Sequence, residues 1–319
     1  MARLTPDLDL PDLTGRRVLL TGGSDGIGLV VATRLAAAGA DLVLPVRDQA
    51  KGRAAAGTIT AAHPDATVTL AALDLASLDS VAALGEDLRR DGRPVHLLIG
   101  NAGVMTPPER RTTIDGLELQ LGTNHVGHVA LVAHLLPLLR AGRARVTVQS
   151  SIAAARGRTT WDDLGAERRY DAMGAYRRSK VLLGLFALEL DRVSRDRGRG
   201  VSANVAHPGV APTSLLAARP ELGRPDDTRE VRLIRALSAR GILVGTPRSA
   251  ALPALLAATA PDAGGRLYGP RGLGHVGGAP AEQRLWRSLR STDDARRAWR
   301  VSAELAGATF PGERVEALG

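Results

Sequence analysis

Tyr176 and Lys180 lie four residues apart in the segment YRRSK. On a helix that spacing puts both side chains on one face, with Cβ atoms about 5–6 Å apart. A free phenol titrates near pH 10. An adjacent ammonium favours the phenolate and should lower that value, so the pair can give a proton to an oxygen or take one from it. Lys180 and Lys51 are the only lysines, and every other basic residue is arginine. A lysine held at this one position suits a site that needs a compact charge. Tyr170 has no lysine four positions on and reads as structural.

A second group is the run Thr21-Gly-Gly-Ser-Asp-Gly-Ile-Gly28. Glycines between a strand and a helix let backbone N–H groups approach a pyrophosphate at the helix N-terminus, although a tight βα turn alone would need them too. The candidate contacts are Gly22, Ser24, Asp25, Gly26, Ile27 and Gly28. Where an NAD-binding fold usually places a carboxylate, about 20 residues past the glycines, this chain has Val46 and then Arg47. An arginine there can pair with a ribose 2′-phosphate, which favours NADP over NAD. Asp25, inside the loop, could face and repel the same phosphate. The bland alternative for Arg47 is an ordinary surface arginine.

The elements that must hold these groups follow a regular alternation. Apolar runs at 17–21, 41–46, 67–73, 95–100, 145–150 and 201–206 read as short strands. Helical periodicity occupies 28–38, 77–89, 117–139, 175–192 and 246–259. Such an order indicates a doubly wound, Rossmann-type α/β domain with a parallel sheet. The expected layout is a single domain, with a cofactor-binding and catalytic core at 13–215 and a lid and extension at 216–319. Residues 220–232 read as a mobile lid, and 264–278 as loop with one edge strand.

Composition removes other classes. The 319 residues include no cysteine, which excludes disulfides, thiolate nucleophiles and cysteine zinc sites. His125 and His128 have no acidic or cysteine partners at metal-ligand spacing, so no metal is expected. The net charge of +9 invites a nucleic-acid reading, but aromatics are only 3% and the arginines are scattered, so none is expected. The longest apolar run, 129–139, is too short to span a bilayer. With no secretory leader apparent, a soluble cytoplasmic protein without membrane attachment is expected.

Together these motifs resemble the short-chain dehydrogenase/reductase family, over about residues 13–215. TGGSDGIG is similar to that family's TGxxxGIG loop, and YRRSK to its YxxxK. The resemblance implies that Asp74 and Leu75 contact adenine, that Asn101, Ala102 and Gly103 border the cofactor, and that Pro208, Gly209, Val210 and Thr213 hold the carboxamide. Lys180 would also bond the nicotinamide ribose. Asn124, within NHVGH, would hold a water in the proton relay to Lys180. Ser151 would polarise a carbonyl oxygen, and Ser150, pointing to the opposite face, would not.

NHVGH and the 25-residue interval from Ser151 to Tyr176 resemble a retinol-dehydrogenase-like and protochlorophyllide-reductase-like branch, bacterial in type. The chain lacks the cysteine that protochlorophyllide reductases use, which argues against their photochemistry. The implied activity is NADP(H)-dependent interconversion of a hydrophobic ketone or aldehyde and its alcohol, as in secondary metabolism, with Tyr176 as general acid/base. Val104, Met105, Ile152, Trp161, Met173, Leu215 and Leu216 are candidates for an apolar substrate pocket. Monomer and homodimer both stay open. Two other readings remain, a non-redox epimerase or lyase with tightly bound NAD, and a cofactor-sensing binding protein.

Overall fold

The computed structural model describes residues 6–213 and 215–310. Its first half alternates β1 (Arg17–Leu20), α1 (Gly26–Ala37), β2 (Asp41–Val46), α2 (Gln49–Ala62), β3 (Val68–Ala72), α3 (Leu78–Asp91) and β4 (Leu97–Gly100). A short α4 (Leu119–Leu121) runs through a π-helical turn, Gly122–Val126, into α5 (Gly127–Ala141). Next come β5 (Arg145–Gln149), α6 (Ala172–Asp196) and β6 (Ser202–Ala206), then α7 (Arg229–Ala239), α8 (Pro247–Thr259), β7 (Leu267–Pro270), β8 (Pro280–Gln283) and α9 (Thr292–Leu305).

The strands form one sheet in the order β3-β2-β1-β4-β5-β6-β7-β8, parallel except for β8. Strands such as RVLL and LVLPV are buried along their length, as a sheet covered on both faces requires. One apolar core lies under α3, α5, α6 and α9, and a second under α1 and α8. Strand order reverses between β1 and β4, so the loops leaving their carboxyl ends diverge and leave a crevice between them. Helices start on side-chain caps: Asp25 for α1, Asp48 for α2, Ser77 for α3, Asp171 for α6, and a reciprocal Thr246–Ser249 pair for α8.

The Rossmann-type α/β single domain agrees with the sequence reading, with four differences. An unanticipated α2 fills the β2–β3 crossover. α7 occupies part of the segment read as a mobile lid. β7 is not an edge strand, because β8 pairs with it antiparallel and takes the edge. α9, also unforeseen, is held by an aromatic cluster: Trp299 stacks on Phe186 at 5.2 Å and lies 4.3 Å from Phe310. Among the described residues no helix is long and apolar enough to cross a membrane, and no group of three or more His, Cys, Asp or Glu is placed to hold a metal.

Truncating a fully buried tryptophan leaves a cavity that its neighbours fill only in part. Trp299→Ala should therefore cost about 3–5 kcal/mol in a denaturant titration followed by far-ultraviolet circular dichroism. The exposed neighbour Arg300→Ala should stay within about 0.5 kcal/mol of the parent.

Candidate active site

The crevice at the β1/β4 reversal is lined by the glycine loop on one side and the ends of β4 and β5 on the other. Gly22 adopts φ +67°, a region that side chains disfavour. At Gly28 a Cβ would sit 1.9 Å from the Gly22 carbonyl oxygen, so only glycine lets the first turn of α1 close on the loop. Gly22, Ser24, Asp25, Gly26, Ile27 and Gly28 all face the crevice. The Asp25 carboxylate accepts from the Gly26 N–H at 2.6 Å and so caps its own helix. That bond accounts for an aspartate in this loop without any contact to a phosphate.

Arg47 lies just past β2 and Lys51 in the first turn of α2; both are exposed and both border the same end of the crevice. Asp74 and Leu75, after β3, border it as well. Asn101, Ala102 and Gly103 leave β4 and form the opposite wall. The Asn101 amide donates to the carbonyls of Thr21 and Gly22, at 3.0 and 3.2 Å, which ties this wall to the glycine loop. Gln149 extends the tie, donating to Asn101 Oδ1 at 3.3 Å, while its own Oε1 is buried without a partner.

Tyr176 and Lys180 project from α6 into the floor of the crevice. Ser151 follows β5 and lies close to Tyr176, but it is not part of the crevice lining, and its Oγ accepts from Ala153 N at 3.2 Å. Ser150, expected to face away, is the serine that lines the crevice, although its hydroxyl donates to the Lys180 carbonyl at 2.9 Å. Lys180 Nζ donates to the Gln149 carbonyl at 2.9 Å. A side chain at Gly103 would meet Asn124 Oδ1 at 2.9 Å and Lys180 Nζ at 3.3 Å, so the glycine lets the loop lie against both.

The electrostatics differ from the expected lowering of the phenol. Burial pushes Tyr176 above its ordinary value, and the nearby Ser151 hydroxyl acts in the opposite sense. No charged group is among the causes acting on it. The ammonium of Lys180 is instead held by a backbone carbonyl and is itself pushed down to about 8 by burial.

Asn124 is fully buried, and its side chain is not a free relay group. Its Oδ1 accepts from Val104 N at 2.7 Å, and its Nδ2 donates to Val104 O at 2.9 Å and Ser179 Oγ at 3.0 Å. The π-helical turn, which inserts one extra residue per turn, sets it in this position.

Other assignments fall differently. Pro208 and Thr213 border the crevice, but Gly209 and Val210 pack behind them against residues 270–278, Val210 N donating to Val276 O. Of the apolar candidates, Val104 and Leu215 reach the crevice. Trp161 does not. Its indole N–H donates to Asp294 on α9, and Arg297 lies 4.7 Å over its ring. Met105, Ile152, Met173 and Leu216 are half-buried outside the lining. His125 bonds Ser302 on α9 at 2.6 Å, which makes it a packing group. Thr21, Lys51, Gln149 and Arg219 line the crevice without having been singled out. Lys51 alone carried a usable signal, as one of only two lysines and four residues from Arg47.

The sequence matches the short chain dehydrogenase family over residues 16–221. The chain belongs to the short-chain dehydrogenases. Within that family it is 36% identical over 311 residues to retinol dehydrogenase 13 of Homo sapiens, covering 96% of this chain and 89% of that protein. It is 40% identical over 211 residues to polyprenol dehydrogenase of Mus musculus, a match that spans 65% of this chain and 63% of its relative, less than two thirds. A solved structure, of an uncharacterised protein from Mycobacterium paratuberculosis, superposes with TM-score 0.73 and 32% identity, covering 95% of this chain and 97% of that one. This short-chain dehydrogenase therefore falls with the retinol-dehydrogenase-like members.

Because burial lowers Lys180, the folded protein binds fewer protons there than the unfolded chain between about pH 8 and the ordinary lysine value of 10.5. Stability from this group therefore rises with pH across that window. Lys180→Met removes the dependence, so the stability of the variant relative to the parent should fall from pH 8 to 10.5; thermal melts across that range check it, and a gap that stays constant contradicts it.

Proposed function

We propose that this oxidoreductase uses NADP(H) to interconvert a hydrophobic ketone or aldehyde and its alcohol, with Tyr176 as general acid and base. The observation that carries this reading is the placement of Tyr176 and Lys180, four residues apart on α6, at the floor of a glycine-walled crevice with Ser151 close to the phenol. A bound nicotinamide dinucleotide would supply the hydride. The fit of the dinucleotide rests on the close approach at Gly28, which brings the N-terminus of α1 against the glycine loop at the crevice, where a pyrophosphate could sit, and on the buried, unpartnered Gln149 Oε1 in the crevice wall. Arg47 would hold a 2′-phosphate, with Lys51 supporting it from α2.

In the reducing direction the Ser151 hydroxyl polarises the carbonyl oxygen and the Tyr176 hydroxyl gives its proton to that oxygen. A phenol raised by burial remains protonated at neutral pH, which suits that direction. Lys180 would bond the ribose and stabilise the phenolate left behind. Asn124 would act through its backbone carbonyl, since its side chain is occupied. Residues 216–245 would cover the crevice from the α7 side, with Leu215 and Val104 offering apolar contact. The names of the two curated relatives support a hydrophobic substrate, and the absence of a membrane-length helix among the described residues is compatible with a cytoplasmic location.

Titration with NADPH and NADH, followed by nicotinamide fluorescence, tests the cofactor. Arg47→Ala should weaken NADPH selectively, by about 1–3 kcal/mol, and an equal effect on NADH contradicts the role of Arg47. Tyr176→Phe should lower turnover of an aldehyde probe such as all-trans-retinal by about a hundredfold or more with NADPH affinity intact. Substantial residual turnover would exclude Tyr176 as the acid.

A further inference from the structure

His128, in the first turn of α5, is 1% exposed, and both ring nitrogens have partners. Nε2 lies 3.0 Å from Thr21 Oγ1, and Nδ1 lies 3.2 Å from the backbone carbonyl of Asn124. Thr21 and Asn124 are themselves fully buried. The polarity of this chain follows from counting donors. Thr21 Oγ1 accepts from the backbone N–H groups of Asn101 and Ala102, each at 3.0 Å, which uses both of its lone pairs. Its one proton must then go outward, to His128 Nε2 at 3.0 Å in preference to the Ile99 carbonyl at 3.5 Å. The ring therefore accepts at Nε2 and carries its proton at Nδ1, donated to Asn124. Burial, with the charge of Lys180 as a lesser cause, pushes the imidazole down to about 3, so it stays neutral and this pattern persists at physiological pH.

The ring also sets a spacing. A Cβ on Gly100 would come within 3.0 Å of His128 Cδ2, so the imidazole lies flush against the end of β4, where the crevice wall begins. At its other end the chain reaches Asn124, which brackets Val104 and, through Ser179, whose hydroxyl donates to the Tyr176 carbonyl at 2.8 Å, the catalytic helix.

We propose that His128 is a positioning residue, a neutral Nδ1–H imidazole that holds the cofactor-facing loop 101–103, through Thr21, in fixed register with the Asn124 turn. It touches no reacting atom. The proposal rests on the reading of the crevice as a dinucleotide site, but its hydrogen-bond pattern can be measured without that reading.

Two measurements test it. Long-range ¹H–¹⁵N spectra of the unliganded protein, assigned by comparison with His128→Leu, should show a neutral imidazole protonated at Nδ1 from pH 5 to 8. A resonance protonated at Nε2, or one titrating near 6.5, overturns the proposal whatever the protein binds. The second is NADPH affinity by nicotinamide fluorescence. His128→Leu should weaken it about tenfold, the scale of one buried hydrogen bond lost behind the loop. His128→Gln, whose amide oxygen can still accept from Thr21, should recover most of that loss. Thr21→Val placed on His128→Leu should add little, since both act through one contact. If His128→Leu lowers only the melting temperature and leaves NADPH affinity unchanged, the ring is packing and the proposal fails. If the parent protein binds no NADPH, the dinucleotide reading fails, and the spectra alone then decide the tautomer.

Discussion

The site depends on a buried asparagine whose side chain has no idle polar atom. Asn124 bonds the backbone of Val104 from both its oxygen and its nitrogen, and reaches Ser179 besides. Val104 follows the loop that leaves β4, while Ser179 sits on α6 between Tyr176 and Lys180. Two walls from distant stretches of chain are thus referred to one residue. Any movement of one relative to the other breaks a hydrogen bond in a place that water cannot reach, and such a loss costs far more than a bond exchanged at the surface. The π-helical turn is what allows this, because a regular helix would rotate the asparagine out of register with both walls.

This rigidity also bears on the proton chemistry. The phenol is raised above its ordinary value by burial while the neighbouring lysine is lowered to about 8, so the two values, close together in the free side chains, are driven apart by desolvation of both groups. The sequence suggested a different cause, an ammonium acting on a phenol four residues away. The spacing is right, yet the ammonium points to the Gln149 carbonyl. Proximity along a helix does not determine which way a long, flexible side chain turns once a buried carbonyl needs a donor.

Much of the fold was legible because its strands are short, apolar and β-branched, and because TGGSDGIG and YRRSK sit where a strand or helix must hold them. What escaped notice escaped for definable reasons. α2, with the sequence QAKGRAAAGTITAA, buries only Gly52, Ala55 and Ile59, too sparse an apolar stripe to stand out. α9 presents mainly alanine and serine to the core, with Trp299 its one large anchor. β8 has little apolar content and exists because β7 offers it an open edge. Trp161 looked like a pocket residue because large aromatics often are, but its N–H found Asp294 on a helix that had not been foreseen. The roles of Thr21 and Gln149 depend on partners about 80 and 48 residues distant in the chain, and no local pattern announces those.

All eight aromatic side chains, three Trp, three Tyr and two Phe, fall after residue 160. The glycine loop, Arg47 and the Asn101 wall belong to a half of the protein whose packing is aliphatic. That half contributes nothing of its own to absorbance or emission in the near ultraviolet. Trp161 and Trp299 both report on α9, and Trp286 lies 4.9 Å from His207 beside β6. An unfolding curve read from intrinsic fluorescence would thus trace the detachment of the C-terminal helix and sheet edge. The dinucleotide half would be optically silent until a bound nicotinamide supplied a chromophore, and a single tryptophan placed on the exposed face of α2 would make the two halves separately visible.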